Sequence, residues 1–160
     1  MSDGKNYQEY LDATELEKCI PDIAGKYRRT SDPTINYNCL AWAVGVQWAW
    51  FDPEKGCVGY FWPHGIEREL SIPAIRKVLA HFGFNKESNN AEWEEGFLKV
   101  AVFIDADGVP SHYARQLENG KWTSKFGELI DVEHDDLECI KCVEYGEPRF
   151  YFMREVPKAT

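Results

Sequence analysis

A chain of 160 residues, 44% hydrophobic and 14% aromatic, is long enough to bury one substantial core. Its 27 acidic against 18 basic residues leave a formal charge of −9, which argues against a nucleic-acid ligand and leaves a basic or neutral partner open. The longest apolar stretch, 39–51, is interrupted by Gln47 and too short to span a bilayer, so no membrane role is expected. Five cysteines (Cys19, Cys39, Cys57, Cys139 and Cys142) form an odd, scattered set that reads as reduced thiols. The opening MSDGKNYQEYLD has neither the basic start nor the apolar core of a signal peptide. The expected location is the cytoplasm, with export independent of a signal peptide left open.

In chain order, Tyr7, Tyr10, Leu11 and Leu16 have the spacing of a short amphipathic helix over 7–19. IPDIAGKYRRTSDPT then reads as a loop. A second helix is predicted from Cys39 to Trp50, capped by Asn38 or Asn36 and apolar nearly all round, hence buried. DPEKGCVGYFWPHGIEREL is irregular, after which Ser71 caps a helix with Ile72, Ile75, Val78, Leu79 and Phe82 on one face and Gly83 at its end. NKESNNAEWEEG reads as a polar linker.

From Phe97 the period shifts towards 2. LKVAVFID, SHYARQL, KWTSKFG and RFYFMREV read as strands, with turns at ADGVP and ENGK and one or two further strands between Glu138 and Tyr145. The expectation is one domain over 1–160: an N-terminal helix and loop (1–35), a helical half (36–97) and a β-sheet half (98–156). The fold class is α+β, with the buried cysteine-bearing helix packed on an antiparallel sheet.

Two readings of Cys39 stand side by side. It is a packed core thiol, or it is a nucleophile whose pKa is lowered at a helix start and whose base is His112 at the head of a strand. A two-residue Asn119-Gly120 turn would place Gln116 opposite Thr123 and His112 opposite Gly127. His112, Ala114 and Gln116 would then share a face with Thr123 and Lys125, and Ser124 would point away. Asp131 is the expected orienter of the imidazole, because a carboxylate best stabilises an imidazolium. Lys125 suits a substrate or oxyanion contact. CIKC lacks a second pair for zinc, DADG lacks the closing Glu of a calcium loop, and the histidines have no ligand spacing, so neither metal nor cofactor is expected.

YNCLAWAVG, YFWPHGIEREL, GFLKVAVFID, SHYARQLENGKWTSKFG and DVEH resemble an uncharacterised, largely bacterial papain-like family over about 36–154. More distantly, NCLAWA is similar to the nucleophile segment of bacterial cell-wall cysteine peptidases, with Asn38 where they carry Asp. The resemblance implies a papain-like fold, Cys39 as nucleophile and His112 as base, acting on a peptide, protein or other amide-containing substrate. Backbone N–H groups around Asn38 and Cys39 would hold the oxyanion. Two alternatives accompany it: a non-catalytic module of immunity or adaptor type binding a protein partner, and a transglutaminase- or deamidase-type effector.

Overall fold

The computed structural model describes residues 2–54 and 60–157, with residues 2–6 defined by backbone alone; Cys57 lies outside the described residues. The elements are α1 (Ser2–Cys19), β1 (Tyr27–Arg29), α2 (Cys39–Ala43), β2 (Trp50–Phe51), β3 (Tyr60–Phe61), α3 (Ile72–His81), β4 (Lys86–Ser88), β5 (Phe97–Ile104), β6 (Pro110–Gln116), β7 (Trp122–Lys125), β8 (Asp131–His134) and β9 (Glu147–Glu155). Seven strands form one sheet in the order β1-β8-β7-β6-β5-β9-β4, every neighbouring pair antiparallel. β2 and β3 make a separate parallel pair. The α+β expectation holds. No helix among the described residues is long and apolar enough to cross a membrane.

β5 is apolar at nearly every position because both faces of the sheet are covered. Val100 and Val102 pack with Leu40 and Val44 of α2 and its flank, and with Ile75 and Leu79 of α3. Ala101 and Phe103 pack on the other face with Leu16 of α1 and with Ile20 and Ile23. Each β6 side chain joins one layer or the other: Tyr113 lies on the α2 side and Ala114 on the α1 side.

α3 starts and stops as its sequence predicts. Ser71 accepts from the Ala74 N–H at 3.2 Å, and Gly83 at φ +94° ends it. α2 is much shorter than expected. Gly45 adopts φ +88°, its N–H bonds the Trp42 carbonyl at 3.0 Å, and Val46 N–H bonds the Ala41 carbonyl at 2.8 Å. That pair of bonds is a Schellman stop, which the apolar run beyond it cannot override. Residues 46–51 become loop and β2. Four further short strands escape the sequence reading, one of them β3 in the segment expected to be irregular. β1 lies in the expected loop, β4 is an edge strand in the polar linker, and β8 lies in the acidic run DVEHDD. Between Glu138 and Tyr145 there is a 3-10 turn and a single bridge, Cys142 to Gly146, rather than further strands.

The β6–β7 hairpin carries the correction that matters most. Arg115 pairs with Thr123 and Gln116 with Trp122, one residue out of the expected register. Three residues, 118–120, fill the loop; Leu117 N–H bonds the Lys121 carbonyl at 2.7 Å and Gly120 takes φ +85°. A glycine in left-handed conformation at the last loop position is the signature of the three-residue hairpin. Because side chains alternate with period 2, the slip exchanges the two faces of β7 relative to β6.

Candidate active site

α2 is fixed at both ends. Asn38 Oδ1 accepts from Ala41 N–H at 3.2 Å and Phe51 N–H at 3.1 Å, while its Nδ2 donates to the Phe51 carbonyl at 2.7 Å. Its side chain is thus helix cap and clamp to β2 at once. At the other end Arg115 Nη1 donates to the Trp42 carbonyl at 2.6 Å, with its guanidinium 5.2 Å over the Trp42 ring. Trp42 Nε1 donates to Thr123 Oγ1 at 2.9 Å. These contacts hold Cys39, half-buried, in the wall of a cleft of about 310 Å³ that Trp50, Phe51, Arg68, Leu70 and Tyr113 also line.

Backbone N–H groups of Tyr113, Leu40 and Cys39 itself favour the thiolate. Tyr113 follows His112 directly, but the two side chains point to opposite faces of β6, Tyr113 to the α2 side with Cys39 and His112 to the α1 side. The backbone ladder between β6 and β7 stops at Arg115–Thr123, short of this point. The His112 ring lies in the α1-side layer, fully buried, near Phe103 (5.5 Å) and Phe126 (5.4 Å) and stacked on Tyr145 at 4.3 Å. The expected hydrogen bond between Cys39 and His112 is not made: the ring lies on the α1 face of the sheet and the sulfur on the α2 face, and Nδ1 of His112 has no partner among the described residues.

What His112 does bond is Ser124, the residue that the slipped register brings to its face. His112 Nε2 and Ser124 Oγ are 3.0 Å apart, and Ser124 Oγ is 2.9 Å from His134 Nε2. His134 Nδ1 lies 2.8 Å from the Asp136 carbonyl oxygen. The protons follow from the acceptors. A carbonyl oxygen only accepts, so His134 Nδ1 carries the hydrogen and its Nε2 is bare. The Ser124 hydroxyl then donates to His134 Nε2, and its oxygen accepts from His112 Nε2–H. His112 is left with a bare lone pair on Nδ1. All three side chains are fully buried.

Asp131 and Lys125 lie elsewhere. They pair across β7 and β8 and share the α2 face with Thr123, away from the imidazole. Asp131 accepts from the hydroxyls of Tyr37 and Thr30, and its N–H donates to Ser31 Oγ at 3.1 Å. Lys125 Nζ donates to the Thr34 and Gly127 carbonyls at 2.9 and 2.5 Å, and sits 5.2 Å over the Tyr37 ring. The pair therefore pins the 30–37 segment that delivers Asn38 and Cys39. Asp131 does not orient His112. Lys125 is a positioning residue whose charge is felt at the sulfur.

Burial pushes the Cys39 thiol up to about 11; the N–H groups and the Lys125 charge oppose it without overcoming it. The lowering expected from a helix start does not prevail: five residues give little dipole, and burial dominates at the sulfur. Burial also holds His112 down to about 3, with repulsion from His134 adding to it, and His134 down to about 4. Lys125 is lowered to about 8 by burial, partly offset by Asp131, Cys39 and Glu128. At neutral pH the resting site holds a neutral thiol and two neutral imidazoles.

Ser124, His134 and Tyr145 are the residues that sequence reasoning missed. Ser124 and His134 were within reach of it. Trp122, Ser124 and Phe126 alternate with Thr123 and Lys125, and a three-residue ENG loop puts the former set beside His112.

No curated protein and no solved structure matches the chain. Residues 28–153, the span from β1 into β9 that contains every residue of the site, match the family described as Domain of unknown function (DUF7689), and the chain belongs to that family.

Proposed function

We propose that the protein is a papain-like cysteine acyl-transfer enzyme, hydrolysing or transferring an amide or ester acyl group, with Cys39 as nucleophile and His112 as base. The observation that carries this reading is the tautomer chain. Ser124, His134 and the Asp136 carbonyl place the His112 hydrogen on Nε2 and leave Nδ1 unprotonated, on the face of the sheet opposite Cys39. A base needs a free lone pair and a fixed ring, and catalytic contacts of this kind tighten when substrate binds. Tyr145 stacked on the imidazole shields the His112–Ser124 bond from water.

In the reaction, sulfur attacks the carbonyl carbon as its proton passes to His112 Nδ1, which requires the substrate complex to bring the ring from the α1 face of the sheet to the cleft. The C–S bond forms while the carbonyl electron pair moves to oxygen. Because thiol and imidazole rest neutral, proton transfer accompanies attack rather than preceding it. The N–H groups of Tyr113, Leu40 and Cys39 and the nearby Lys125 charge stabilise the sulfur as it becomes negative. Collapse returns the electron pair to carbon and expels the amine or alcohol, which takes the proton from Nδ1. Water or an amine then resolves the thioester, with Nδ1 again the base.

The test is mass spectrometry after brief incubation with an activated ester. A thioester on Cys39 that is lost in Cys39→Ala and His112→Asn is the expected result. The raised thiol pKa favours a second reading, a non-catalytic module binding a protein through the same cleft. No adduct on Cys39 beyond that on the exposed Cys19 would select it.

A further inference from the structure

On the α1 side of the sheet, remote from Cys39, a cavity of about 430 Å³ opens between the end of β6, the 91–93 segment and the 135–138 turn. Gln116 belongs to its lining and is only 2% exposed. Its Nε2 donates to the Ala91 carbonyl at 3.2 Å, which fixes the amide orientation and leaves Oε1 buried with no partner among the described residues. The rings of Trp93, Trp122 and Tyr151 share the lining with the carboxylates of Glu92 and Asp135. Trp93 is 47% exposed although it is a large apolar ring.

The charged groups of the lining are all carboxylates, and its one buried unpartnered polar atom among the described residues is an acceptor. Gln116 Oε1 needs a donor, and the Glu92 carboxylate makes no hydrogen bond or ion pair with another described residue. Asp135 is met only by Lys121, at 3.5 Å, and Glu138 by Lys141, at 2.8 Å, both from outside the lining. No Lys or Arg belongs to the lining. Aromatic faces beside carboxylates attract a cation, and an unfilled buried acceptor attracts an N–H. We propose that this cavity binds an organic cation carrying N–H donors, an alkylammonium or alkylguanidinium group, with Gln116 Oε1 and Glu92 taking its hydrogens and Trp93 covering it. The charge of −9 on the whole chain favours such a ligand at longer range. The cation is supplied either by a free amine or by a lysine or arginine side chain of a polypeptide.

The full chain, labelled with ¹⁵N, is titrated with n-butylammonium and n-propylguanidinium chloride, with n-butanol as the uncharged control. Saturable shifts are expected at the Gln116 side-chain amide and the Trp93 and Trp122 indole N–H groups, with a dissociation constant of about a millimolar. Glu92→Gln is expected to weaken binding about threefold and Trp93→Leu about fivefold. Both substitutions lie on the exposed rim, so the fold is retained. Tighter binding by Nα-acetyl-lysine amide or its arginine counterpart assigns the source to a polypeptide; equal binding assigns it to a free cation. Shifts that do not saturate, equal shifts with butanol, or variants that bind as the parent does would each overturn the proposal. None of these outcomes depends on Cys39.

Discussion

Replacing Ser124 by Ala removes one oxygen and strands two buried imidazole atoms, the Nε2–H of His112 and the bare Nε2 of His134. Both neighbours lie within 3.0 Å of the hydroxyl, and all three residues are fully buried, so no water replaces it. An unsatisfied buried donor or acceptor costs about 1–3 kcal/mol, so the two together cost about 3–4 kcal/mol. With a urea slope of about 2 kcal/mol/M for a domain of this size, the unfolding midpoint falls by roughly 1.5–2 M. Tryptophan fluorescence in urea reads this directly. Reactivity falls as well, because without Ser124 nothing holds the His112 hydrogen on Nε2. Thioester formation on Cys39 is expected to drop about 100-fold under conditions where the variant is folded. A midpoint within about 0.3 M of the parent would show that the hydroxyl bridges nothing of consequence. A stability loss with unchanged adduct formation would separate the relay from the chemistry.

Stability is also pH-dependent in a defined window. His112 and His134 have folded pKa values of about 3 and about 4, below the ordinary value of 6.5, so protons favour the unfolded chain. Stability is complete above about pH 6.5 and falls as pH drops, by about 4 kcal/mol from both residues between pH 7.5 and 5. Urea titrations at the two pH values measure it, and His134→Asn, which cannot take up a proton, is expected to recover about half of the loss. Asp131→Asn is expected to cost about 2–4 kcal/mol, since it weakens two hydrogen bonds to a buried carboxylate and leaves the Lys125 ammonium less compensated. Adduct formation per folded molecule should stay within about tenfold of the parent; a loss of orders of magnitude with stability intact would return Asp131 to the imidazole.

Much of the fold was legible because it rests on local rules. The continuous apolar run of β5, the Ser71 cap and the Gly83 stop of α3 each state their own structure. α2 was not legible to its end, since hydrophobicity alone carries it to Trp50 while one glycine stops it at Ala43. β8 hid in an acidic run, because Asp131 and His134 are buried by partners distant in sequence: Tyr37 and Thr30 for one, Ser124 for the other. Cys39 and His112 were legible as residue types, but their side chains lie on opposite faces of the sheet. The orienting group was not. A turn of two residues and a turn of three differ by one position in ENGK, yet they decide whether Lys125 or Ser124 stands beside the imidazole. Three buried polar residues at one phase of adjacent strands (His112, Ser124, His134) are the stronger signal, because isolated buried polar groups are costly and linked ones are not.

The central claim is that His112 keeps a bare Nδ1 available to the Cys39 proton because Ser124 and His134 fix its tautomer. Long-range ¹H–¹⁵N correlation spectra of the histidine rings, recorded on the intact protein at pH 7, test this without any substrate. The account predicts His112 neutral with its hydrogen on Nε2, and His134 neutral with its hydrogen on Nδ1. A hydrogen on His112 Nδ1, whether in the opposite tautomer or in an imidazolium, would contradict it.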